Sequence, residues 1–99
     1  DTIAFLDASG NYSLRTNSDK SATFFNHAKP NADNSYDLGT SSLRWRNLYT
    51  TDLQLSNEGK TNDVDGTWGN YTIQEGESDL FLINNRSGKK YKFNLTEVS

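Results

Sequence analysis

The side chains best suited to chemistry are five carboxylates in the second half of the chain: Asp63, Asp65, Glu75, Glu77 and Asp79. Paired carboxylates act as acid and base in glycoside hydrolysis, and clustered carboxylate oxygens hold Ca²⁺. Asp63-Val64-Asp65-Gly66 has half the pattern of a calcium loop but lacks the third oxygen ligand and the closing Glu of an EF-hand. Asp, Gly and Ser also populate turns for backbone reasons alone, and that reading carries the most weight here. The one histidine, His27, lies in a polar stretch with no Ser-Gly elbow and no spaced acidic partner, so it reads as a solvated loop residue. There is no cysteine, hence no thiolate nucleophile, thiolate metal site or disulfide. Neither glycine-rich phosphate-binding pattern occurs. No catalytic, cofactor-binding or metal-binding residue is assigned, and a non-enzymatic role is expected.

Aromatic residues offer a second kind of chemistry. Trp45, Trp68, Tyr12, Tyr36 and Tyr71 could stack on sugar rings, with the many Asn, Ser and Thr side chains bonding hydroxyls. Trp45 is expected in the core, whereas Trp68, flanked by Gly66 and Gly69, suits core and surface equally. Long polar loops on a rigid scaffold are where recognition usually sits. Loops 26–35 and 56–67 are therefore the candidate contact surfaces, and Asp63, Asp65 and Trp68 the candidate receptor contacts.

What positions such residues is harder to supply. Only 32% of the 99 residues are apolar, while twelve Asn, eleven Ser and ten Thr make a third of the chain small and polar. A monomer of this length buries roughly 60–65% of its unfolded surface and keeps a margin of a few kcal/mol. Without disulfides, a chain so poor in apolar side chains must be partly disordered or bury itself against further copies. An aromatic content of 12% argues against disorder and so for an oligomer. The net charge of −3 argues against tracking a phosphate backbone, and no run of eighteen apolar residues exists to span a membrane. The sequence starts at Asp1 without a charged-then-apolar leader, as expected of a fragment or processed product.

Period-two patterning predicts an all-β domain of short antiparallel strands over residues 1–99. Residues 1–35 read as a hairpin and loops, with Thr2–Leu6 and Tyr12–Arg15 flanking a turn at Asp7–Asn11, followed by an apolar piece at 22–25. Thr40-Ser41-Ser42 resembles a helix cap, and the i, i+4 pairs Leu43/Asn47 and Trp45/Tyr49 predict one short helical turn. From Tyr49 the pattern returns to period two, with Thr51, Leu53 and Leu55 on the same face. Residues 68–98 read as a three-stranded meander with turns at 75–78 and 84–88. Its middle strand, Leu80-Phe81-Leu82-Ile83, is apolar on both faces, although one face of a lone meander should be polar. One face can form the domain's own core; the other needs residues 2–25, as a single-chain sandwich, or a neighbouring subunit.

Residues 36–55, YDLGTSSLRWRNLYTTDLQL, resemble a motif common in bacteriophage tail fibres and tailspikes, through Tyr36, Asp37, Leu38, Gly39, Ser42, Arg44, Trp45, Asn47, Leu48 and Tyr49. Residues 68–98 are similar to C-terminal segments of fibre and virion structural proteins from T4-like marine phages. The resemblance implies a distal fibre domain on the virion, outside the cell, that forms an intertwined homotrimer and contacts a host-surface glycan or protein. Leu53, Leu55, Ile73, Leu80, Phe81, Leu82, Ile83 and Phe93 are the expected trimer core, and neither nucleic acid nor membrane insertion is an expected partner. In many relatives the motif precedes a self-cleaving chaperone that uses a Ser-Asp pair followed by Lys. Here Ser78-Asp79 lacks that Lys, so self-cleavage is not expected.

Overall fold

The computed structural model describes residues 3–99; Thr2, at the head of the first expected strand, lies outside them. The described chain is all-β. Its two units, Asp1–Arg44 and Trp45–Ser99, each hold one antiparallel sheet.

In the first unit, β1 (Ala4–Leu6), β2 (Tyr12–Thr16) and β3 (Ala22–Phe24) pair in that order. The first turn is set by Asp7, whose Oδ1 accepts the N–H groups of Ser9 and Asn11, both at 2.9 Å. Gly10 closes the turn at φ +84°, a conformation that costs glycine nothing. The second turn uses the same device, with Asp19 Oδ1 accepting from the Ser21 hydroxyl and N–H. A register shift between Phe5 and Leu6 marks a bulge. Phe5, Leu14 and Phe24 are directly opposed across the three strands and therefore share a face.

In the second unit, β4 (Leu53–Ser56), β5 (Asn70–Glu75), β6 (Leu80–Asn84) and β7 (Lys90–Lys92) pair in sequence order. The expected meander is β5–β6–β7, and β4 adds a fourth strand at its edge. Register separates the faces. Leu53, Ile73, Leu82 and Tyr91 form one cross-strand row, and Leu55, Tyr71 and Asn84 form the next on the same side. Leu80 belongs to that side too, and the Phe93 N–H extends the pairing by bonding the Leu80 carbonyl at 3.0 Å. The other face carries Gln54, Thr72, Gln74, Lys90 and Lys92, with Phe81 and Ile83 its apolar members. Phe81 lies over the β5–β6 turn, where a Cβ on Gly76 would come within 2.7 Å of its Cε2.

Three local expectations are corrected. No helical turn forms at 43–49. The cap bond exists, since the Leu43 N–H donates to Thr40 Oγ1 at 2.9 Å. One capped turn is too short to persist, however, unless packing holds it, and Trp45, expected to pin it from the core, is 69% exposed. The strand expected from Tyr49 starts only at Leu53, because residues 49–52 have no ladder partner on β5. At the far end β7 stops at Lys92, leaving Leu95 outside the ladder and exposed.

No apolar side chain among the described residues is buried; Thr72, at 5% exposure, is the one buried residue. Even two separately compact bodies of the two units' lengths would together expose about 6,800 Å². This chain exposes 9431 Å². The sheets are well bonded, yet their apolar faces lack cover.

Candidate functional site

The most organised surface of the second unit is the loop between β4 and β5. Asn62 holds it from inside. Its Oδ1 accepts the N–H groups of Val64 and Asp65 at 2.8 and 2.9 Å, and its Nδ2 donates to Asp65 Oδ1 and the Thr67 carbonyl. Asp65 Oδ1 also accepts the Thr67 hydroxyl at 2.7 Å and the Thr67 N–H at 3.1 Å. The Thr67 hydroxyl, the Asn62 amide and the Thr67 N–H, in that order, hold the Asp65 carboxyl below the usual aspartate range. At the loop's base Asn57 accepts the Gly69 N–H on Oδ1 at 2.8 Å.

This scaffold presents Trp68. The Arg86 guanidinium, from the β6–β7 hairpin, stacks on the indole with Cζ 3.7 Å from the ring centroid, and its Nη1 donates to the Trp68 carbonyl at 2.9 Å. Tyr71 stands beside the pair, its hydroxyl taking the Asn84 amide at 3.3 Å. A Cβ at 69 would sit 2.9 Å from Tyr71 Cε2, so any other residue there must displace the Tyr71 ring. Two shallow clefts share Trp68, Gly69 and Tyr71 as a common wall. The first, about 490 Å³, adds Leu55, Asn57, Asn62, Asp65 and Thr67. The second, about 340 Å³, adds Asn84, Arg86 and Ser87, and no carboxylate lines it. Half-buried aromatic rings with amide and hydroxyl groups around them offer chemistry that a sugar ring can use, with Arg86 already covering one face of the Trp68 indole.

Of the candidate receptor contacts, Trp68 and Asp65 both line the first cleft, whereas Asp63 is exposed and outside its lining. The calcium reading gains no geometric support. Asp65 Oδ1 is already taken by three donors, and no three His, Asp or Glu side chains gather around a cation-sized space among the described residues. His27 is exposed, in keeping with a solvated loop residue.

Of the expected trimer-core residues, the fold gathers Leu53, Leu55, Ile73, Leu80, Leu82 and Phe93 on one face of the second sheet and adds Tyr71 and Tyr91. Phe81 and Ile83 are placed on the opposite face. Of the middle strand, Phe81 is exposed and Leu80, Leu82 and Ile83 are half-buried, so the second unit by itself encloses none of the four. Among the motif residues, Tyr36, Asp37, Leu38, Trp45, Asn47 and Tyr49 are exposed and Gly39 is half-exposed. Arg86 and Asn57 escaped sequence reasoning. Each reads as a loop residue, and neither spacing shows that it meets Trp68 or Gly69.

No protein-family model matches this chain, and no curated protein or solved structure matches it either.

Proposed function

We propose that this chain is a non-enzymatic, self-assembling domain of a phage tail fibre or tailspike, a homotrimer on the virion that sets chain register and contacts the host surface. The uncovered apolar face built by Leu53, Leu55, Ile73, Leu80, Leu82, Tyr91 and Phe93 carries the reading. Such a face, with no buried apolar side chain among the described residues, is the mark of a protein-interaction surface. The surface exposed beyond that of compact bodies is about 2,600 Å². A copy in a closed ring has two neighbours and gives up roughly 800 Å² to each at a standard interface. The excess accommodates both contacts. The phage assignment and the number three rest on the resemblance of residues 36–55 and 68–98 to fibre proteins.

Absolute mass in dilute solution tests this reading. A species near 33 kDa, about three times the 11.1 kDa chain, supports it. A folded species at the mass of one chain rejects it.

The Trp68 clefts favour saccharide as the surface contacted. Three weak sites on one trimer would gain avidity without any tight single contact. Trp68→Ala is expected to abolish cell or glycan binding while leaving the assembled mass unchanged. A purely structural trimerisation cap would show no binding to lose.

A further inference from the structure

We infer that residues 45–49 of one copy form a strap that seats on the apolar sheet face of a neighbouring copy. This deepens the self-assembly reading above and rests on it. Between β3 and β4 the chain runs through residues 25–52 without a strand or helix. Structureless segments this long are uncommon in compact domains and are usually functional or disordered. Its stretch 43–49 holds four large apolar residues in seven, Leu43, Trp45, Leu48 and Tyr49, as disordered segments do not. Trp45 is 69% exposed, Leu48 68% and Tyr49 90%. Within the described residues the backbone of 44–52 forms no backbone–backbone hydrogen bond. The segment therefore has neither core nor ladder in its own chain.

The second unit thus holds two unsatisfied apolar surfaces, and they are complementary. One is the strap. The other is the face around Ile73 and Leu82, which stays uncovered although the strap joins the same sheet at β4. β4 is an edge strand, and only residues 50–52 separate Tyr49 from it. The strap is thus tethered to an open edge of the sheet, within reach of a neighbour. Two aromatics and a leucine bury on the order of 400–500 Å². Counting the face they cover, one contact approaches the roughly 1,000 Å² that marks a specific interface. A strap meeting a face is a heterologous contact, self-limiting only when a rotation closes the ring.

The chain has no cysteine, so every disulfide in a variant is an engineered one. Tyr49→Cys is combined in turn with Ile73→Cys, Leu82→Cys or Tyr91→Cys, and with Lys92→Cys as an opposite-face control. After mild oxidation of the assembled protein, denaturing gels without reductant should show covalent two- and three-chain species for at least one of the first three pairs and none for the control. Assembly at three-chain mass with no interchain bond in any pair, or with bonds only inside single chains, overturns the strap and leaves the trimer standing. One-chain mass for the unmodified protein overturns both. A Trp68→Phe variant, in which Trp45 is the remaining tryptophan, gives a check free of cysteines. Trp45 emission should be blue-shifted in the assembled species and move red on dissociation. Solvent-like emission in the assembly overturns the proposal.

Discussion

Arg86 closes over Trp68 from eighteen residues away, its guanidinium 3.7 Å from the indole centroid and its Nη1 on the Trp68 carbonyl at 2.9 Å. The contact ties the β6–β7 hairpin to the segment leading into β5 and fixes one side of both clefts. A planar guanidinium can stack and donate at once, which an ammonium cannot. At an exposed site the stack contributes about 0.5–1 kcal/mol. Arg86→Ala should lower the urea midpoint accordingly and shift Trp68 emission. Arg86→Lys should recover only part of either change.

The two faces of the second sheet should respond differently to charge. Burying one leucine or isoleucine contributes about 1.5–3 kcal/mol, and a buried carboxylate reverses that sign. Ile73→Asp or Leu82→Asp is expected to leave one-chain or aggregated material in sedimentation. Lys90→Asp, on the polar face opposite Ile83, should leave the assembled mass unchanged.

Thr72 is the buried polar centre of that second face. Its hydroxyl donates to Gln54 Oε1 at 2.7 Å and accepts from Asn85 Nδ2 at 2.9 Å, linking β4 and β5 to the β6–β7 turn. Thr72→Val keeps the shape and deletes both bonds. A loss of about 1 kcal/mol is expected, because Gln54 and Asn85 can turn to water instead. Chemical denaturation at fixed protein concentration measures it.

Acid should loosen the turns. Asp7 is held below the usual aspartate range chiefly by the Asn11 N–H, Asp19 by the Ser21 hydroxyl and Asp65 by the Thr67 hydroxyl. A carboxyl with a depressed folded pKa binds fewer protons than in the unfolded chain, so stability rises with pH across that interval. The contribution is complete above the ordinary aspartate value, about pH 4, and is lost as pH falls through the lowered values. Unfolding midpoints measured from pH 6 to pH 2 should fall below about pH 4. Asp65→Asn should make that fall shallower.

Much of the fold was legible because strand patterning is local. The alternation in Tyr71–Gln74, the apolar run Leu80–Ile83 and the turn formers at 7–11 and 84–88 each state their conformation within a few residues. Leu43–Tyr49 misled for the same reason. Its spacing and its Thr40 cap satisfy the local rules for a helical turn, but a turn that short obeys whatever it packs against, and its own chain offers nothing.

The sequence alone established that the chain lacks cysteine, carries few apolar side chains and has a penultimate strand that is apolar on both faces. Only pairing in three dimensions showed which side chains share a face. Register gathers Leu53, Ile73, Leu82 and Tyr91 into one row and sends Phe81 and Ile83 to the polar side. It also brings Arg86 to Trp68 and Asn57 to Gly69. The reason is physical. A strand's neighbours along the chain specify its pleat, whereas its neighbours across the sheet depend on register and loop closure, which no spacing within one strand encodes.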